Sequence, residues 1–291
     1  MNLNSLIKKR FNDTSPPAND KRTVIEADDG WQLINWRELW RYRDLFFFLV
    51  WRDIKTRYAQ SILGVGWAII QPVFTMIVFT IVFGNLAKVN SEGVPYAIFS
   101  YTALVPWTYF STSLTSSSTS LVSASNMITK VYFPRLVIPI APVLGKLVDF
   151  GISLLILFGL MLWFGIMPTL ASLAIPLLIL LMMLTATGVG MWLTALAIQY
   201  RDIRYGLNFF VRLLMYASPV IYATSSIPER YHWLYALNPM VGVIEGFRAA
   251  LLGTKPMPWD WIGIGTLMAV IFFVTGALYF KRMERVFADV A

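Results

Sequence analysis

From residue 63 onward the chain alternates long apolar runs with short polar breaks. About 20 consecutive apolar residues suffice to cross a bilayer. Six runs qualify, at about 63–86, 97–123, 137–165, 170–198, 207–223 and 259–280. The second and third exceed that length, which predicts tilt or extension beyond the lipid, while the fifth is short and closes on Ser218-Pro219. Before the first run, residues 46–58 can be laid on a helix at about 100° per residue. Phe47, Trp51, Ile54 and Tyr58 then share one face, and Arg52, Asp53, Thr56 and Arg57 the other. Such a helix lies in the membrane interface with its rings toward the acyl chains; the same residues also fit a plain basic flank that orients the first span. Gly64-Val65-Gly66 and Pro72 let the chain change direction next. Residues 224–255 are too polar for two crossings and too apolar for a free loop. Their break at Asn238-Pro239 and their helical pattern ending at Gly253 predict an external re-entrant helical hairpin with its turn buried in protein.

The expected fold is therefore all-α and integral to the membrane. It has six transmembrane helices, an N-terminal amphipathic interface helix and the external hairpin. Residues 1–30 form a flexible cytoplasmic arm, 31–61 the cytoplasmic interface-helix region, and 62–291 the six-helix transmembrane domain. Trp31, Trp36 and Trp40 suit a membrane–water boundary.

Composition agrees. Of 291 residues, 57% are hydrophobic and 14% charged, and mean hydropathy is +0.62, whereas soluble domains are about a quarter charged. The net charge of +8 is distributed by topology. Eleven Lys and Arg precede the first span; with the connections after spans two and four and the tail, that side holds eighteen. The other side holds four, Lys88, Arg230, Arg248 and Lys255, so both termini are expected in the cytoplasm. The polar start predicts no signal peptide. There is no cysteine and one histidine, His232, which removes disulfides, thiolate metal sites and thiol nucleophiles and leaves no material for a histidine metal cluster. No Gly-x-x-x-x-Gly-Lys-Ser/Thr phosphate loop is present; Leu-Gly-Lys-Leu at 144–147 lacks the upstream Gly and the hydroxyl. Lys146 and Asp149 lie one turn apart inside span three and can neutralise each other.

Five blocks, in order, resemble the permease subunit of type-2 polysaccharide ABC exporters, which move O-antigen, capsule or teichoic-acid chains. They are WRDIKTRYAQSILGVGW (51–67), YTALVPWTYF (101–110, with Ala103 where Gly is usual), SNMITKVYFPRLVIPI (125–140), YRDIRYGLNFFVRLLMYASPVIY (200–222) and LNPMVGVIEGFRAALLG (237–253). The resemblance runs from about residue 36 to the end.

It implies a non-enzymatic permease of the bacterial inner membrane, paired with a second copy of itself and with two copies of a separate ATPase. ATP and Mg would be bound by that partner and no cofactor by this chain. It also implies residue roles. Lys130, Phe133, Pro134 and Arg135 form the coupling segment that sits in the ATPase, and Arg52, Asp53 and Arg57 a second contact surface. Asn238, Pro239, Glu245 and Arg248 belong to the external gate, where Glu245 and Arg248 equally suit a pair that solubilises a half-buried helix. Span two carries nine hydroxyls in ten residues at 111–120. Trp107, Tyr109, Phe110, Ser113, Ser116, Ser117 and Ser120 suit a glycan path of weak repeated hydrogen bonds and ring stacking. The same residues also suit close helix packing or an aromatic belt. Within the superfamily, teichoic acid, capsule, a small lipid or a drug are alternative cargoes. A membrane-embedded transferase is hard to build here, since carboxylates do not cluster on the cytoplasmic side.

Overall fold

The computed structural model describes residues 40–59, 66–128 and 133–284, and all regular structure among them is helical. The arm at 1–30, Trp31, Trp36, Lys130 and the Gly64-Val65 part of the predicted bend lie outside the described residues. The helices are α1 (Arg43–Tyr58), α2 (Gly66–Phe79, continued by a π-helical turn Thr80–Leu86), α3 (Tyr96–Ser123), α4 (Ser125–Ile128), α5 (Val137–Gly145) and α6 (Leu147–Trp163). After a 3-10 turn at Leu170–Ala174 come α7 (Ile175–Gln199), α8 (Asp202–Tyr216), α9 (His232–Ala236), α10 (Pro239–Leu252) and α11 (Trp259–Glu284).

Among the described residues, four stretches are long and apolar enough to cross a membrane: Gly66–Leu86, Val137–Trp163, Leu170–Gln199 and Trp259–Glu284. With its 28 residues, α3 is long enough at about 1.5 Å per residue, but its hydroxyls lower its hydropathy. α8 departs from the predicted fifth span. It begins at Asp202 and ends at Tyr216, and its 15 residues reach about 22 Å, short of the roughly 30 Å hydrocarbon core.

α3 is the axis of the fold. Phe99, Tyr101, Trp107 and Leu121 are buried along it, and α2, α5, α6, α7 and α10 pack around it. Small side chains permit the closest approach. α7 and α11 cross at Gly188 and Gly276, where a Cβ on Gly188 would lie 2.5 Å from the Phe273 amide nitrogen. Span three is broken between α5 and α6. Pro142 lacks an N–H for the ladder, and Lys146 closes the break, donating its amide to Pro142 O at 3.0 Å.

Every residue of α10 is buried, Glu245 and Arg248 included, so the helix has no solvent face. Its ends are written in sequence. The Asn238 side chain caps the start, accepting from the Met240 amide at 3.1 Å, Pro239 follows at the first turn, and Gly253 ends the helix at φ 64°.

Candidate functional site

Two polar clusters sit at opposite ends of α3. At its C-terminal end α1 lies across span three. Leu49 packs on Val137 and Ala141, and Asp53 and Arg57 follow on the same stripe at i+4 and i+8. Arg57 bonds Asp53 and reaches Asp149 Oδ2 with Nη1 at 2.6 Å. The Tyr58 hydroxyl donates to Asp149, and Lys146 Nζ stands 3.5 Å from the same carboxylate. Burial, reinforced by the Asp149 hydrogen bond, pushes the Tyr58 phenol up to about 12. Gly145 makes room: a Cβ there would lie 2.7 Å from Asp53 Oδ2.

This corrects the division of faces read from periodicity. Asp53 and Arg57 turn into the protein, Tyr58 joins them instead of the lipid-side rings, and only Arg52 of the three charges stays exposed. The physical reason is the demand of Lys146 and Asp149, partly withdrawn from water at 13% and 24% exposure, for charged partners. That pair does not stand alone but is one half of a network. The signal was available in the Leu49, Asp53, Arg57 spacing. Phe47 and Trp51 are exposed as expected.

Beside the network, a cavity of about 210 Å³ opens between α1, α3 and α5. Ser116, Thr119, Ser120 and Ser123, at helical spacing on one side of α3, line it opposite Arg52 and Asp53. The remaining candidates on span two are buried within the chain. Ser113 and Ser117 are buried; Ser117 Oγ donates to Pro139 O at 2.8 Å, and Thr194 Oγ1 donates to Ser117 O at 2.8 Å. Trp107, Tyr109 and Phe110 are buried too, with Tyr109 donating to Val143 O at 2.9 Å. Within one chain these aromatics therefore stand in the core.

The described end of the segment expected to meet an ATPase is also anchored. Phe133 is buried against Leu121, Ile138 and Phe280. Arg135 Nη1 donates to Glu284 O at 2.7 Å, and the Pro134 carbonyl accepts from the Val137 amide at 3.2 Å.

At the other end of α3, Glu245 and Arg248 are 5% and 1% exposed, a buried pair instead of one on a half-buried helix. Arg248 Nη1 reaches Glu245 Oε1 at 2.8 Å and Tyr222 O at 3.3 Å, Nη2 reaches Val220 O at 3.1 Å, and the guanidinium lies 3.7 Å over the Phe99 ring. Thr224 donates to the second Glu245 oxygen at 3.1 Å. Asn238 Nδ2 ties the start of α10 to Ser218 Oγ at 2.9 Å. Sequence reasoning missed Glu92, which pairs with Lys255 and accepts from Ser225 at 3.2 Å. The signal was its place as the lone acidic residue between spans one and two. A cavity of about 300 Å³ lies here, lined by Thr224, His232, Lys255 and Trp261 among others.

Comparison with known proteins matches residues 44–252 to the family described as ABC-2 type transporter. An O-antigen export system permease protein of Klebsiella pneumoniae is 27% identical over 248 residues, 85% of this chain and 95% of that protein. The protein of the same description in Myxococcus xanthus is 28% identical over 251 residues, 85% of this chain and 96% of that one. A polysialic acid transport protein of Escherichia coli is 25% identical over 242 residues, 80% and 91% of the two chains.

Proposed function

The chain belongs to the ABC-2 type transporter family, and from that premise we propose that it is the membrane subunit of an ATP-driven exporter of lipid-linked polysaccharide, most of all O-antigen. The observation that carries this reading is the match to O-antigen export permeases along 85% of the chain. The working unit is a homodimer bound to two ATPase subunits in the bacterial inner membrane, with both termini cytoplasmic. The six crossings are the four apolar stretches, α3, and α8 with the turn after it, while the segment around α9 and α10 is an external re-entrant hairpin.

This chain's part in the work is mechanical. A push on α1 passes through Arg57 to Asp149, and so to the break at Lys146. A push on the 126–135 segment passes through Arg135 to the end of α11. Deleting the gene should abolish surface polysaccharide, and the tagged chain should co-purify with an ATPase. Unchanged surface polysaccharide in the deletion strain, or glycan transport by the isolated chain, would falsify the reading.

A further inference from the structure

The hydroxyl-lined cavity between α1, α3 and α5 has no role in the mechanical reading. We infer that it binds a phosphate ester carried on a lipid, held by the Arg52 guanidinium and the Ser116–Ser123 stripe. For the glycan carrier as its source, the inference rests on the export reading; for the phosphate chemistry it does not.

Charge is the first argument. Asp53 stands in the wall, but Arg57 pairs with it, and Asp149 is met by Arg57, Tyr58 and Lys146. Two acids and two bases cancel in that network. Among the described residues Arg52 has no carboxylate partner, so the cavity keeps one surplus positive charge. A guanidinium holds a phosphate through paired charge-assisted hydrogen bonds.

The second argument is the supply of hydrogen bonds. The Ser116 hydroxyl has no partner among the described residues. Thr119, Ser120 and Ser123 donate to carbonyls of their own helix, at 3.2, 2.6 and 3.1 Å. A hydroxyl rotates freely, so each can exchange that internal bond for a stronger one to an anionic oxygen.

Size and place narrow the ligand. The volume of about 210 Å³ is below the roughly 300–1,000 Å³ of drug-sized sites and suits a headgroup. A metal cation is opposed by Arg52 and by the single, already paired carboxylate. Phe47, Phe48 and Trp51 stand exposed on the same α1; such rings sit at headgroup depth, where lipid phosphates lie. Two lipids offer a phosphate with no cation of its own, an anionic phospholipid and the pyrophosphate-linked carrier of a glycan; in phosphatidylcholine the choline already neutralises the phosphate.

The test uses the full-length protein in phosphatidylcholine nanodiscs, titrated with a polyprenyl pyrophosphate, with phosphatidylglycerol and with inorganic pyrophosphate as competitor, bound lipid being read by native mass spectrometry. The polyprenyl pyrophosphate should bind and be displaced by inorganic pyrophosphate. Arg52→Gln should weaken it about tenfold or more and Ser116→Val severalfold, with thermal unfolding unchanged. Variant-sensitive binding of phosphatidylglycerol alone would support the phosphate site and assign it to a structural lipid. No binding of either lipid, or binding that both variants leave intact, overturns the inference. If variant-sensitive binding persists while the deletion strain keeps its surface glycan, the export reading falls and the site stands.

Discussion

The two ends of α3 handle charge in opposite ways. Toward α1, four charges and a phenol are shared among α1, α6 and the break that precedes α6, and the charged side chains retain 13–30% of their exposure. Toward α10, one acid and one base are sealed at 5% and 1%, with the Tyr222 and Val220 carbonyls each accepting one further guanidinium bond. Desolvation makes a buried pair intolerant of losing either partner, whereas a partly hydrated network keeps water as a substitute. The first arrangement can be rearranged at modest cost. The second fixes the turn after α8 onto α10.

The largest expected effect breaks the sealed end. Arg248→Ala leaves the Glu245 carboxylate buried without its partner and should cost about 3–5 kcal/mol, measured by chemical unfolding in detergent. The double replacement Glu245→Leu with Arg248→Met should recover most of that loss. Failure to recover would show that the guanidinium's bonds to Val220 and Tyr222 matter more than the pairing.

Next comes Asp149→Ala at the hydrated end, which strands Arg57 and Lys146 but leaves both within reach of water. About 1–2 kcal/mol is expected, less than for Arg248→Ala, and a cost equal to or above that of Arg248→Ala would erase the contrast. Gly145→Ala should cost about 1–3 kcal/mol by overpacking against Asp53. Its more telling readout is distance. The chain has no native cysteine, so a Leu49→Cys, Ala141→Cys pair reports α1 docking by cross-linking yield, which should fall when Gly145→Ala is added. Smallest is Arg52→Gln, within about 0.5 kcal/mol of wild type, because that side chain stabilises nothing in the fold.

Much of this was legible from the chain. Runs of apolar residues located α2, α3, α5–α6, α7 and α11, and Asn238, Pro239 and Gly253 marked the ends of α10. What periodicity mis-assigned were charges, for one reason. A helical wheel sorts residues by polarity and takes polar as outward, but in a membrane protein a polar side chain turns inward when a polar partner waits there. Asp53, Arg57, Glu245 and Arg248 all follow that rule, and their partners at Asp149, Thr224 and the Val220 and Tyr222 carbonyls are distant in sequence. The burial of Phe133 was not legible either, since a loop aromatic gives no sign that the last helix will cover it. The hydroxyl run was visible as a whole; which of its members face a cavity depended on where α1 docks.

The full burial of α10 also bears on how the protein is made. Its close neighbours in α11 include the Trp261 carbonyl, against which Gly242 packs, and Gly265, which packs on Pro239. A helix carrying Glu245 and Arg248 is synthesised before that wall exists. At about 5–20 residues per second, synthesis from Leu252 to Glu284 lasts roughly two to six seconds. A chain that ends within that interval would carry the Glu245–Arg248 pair without the helix that covers it.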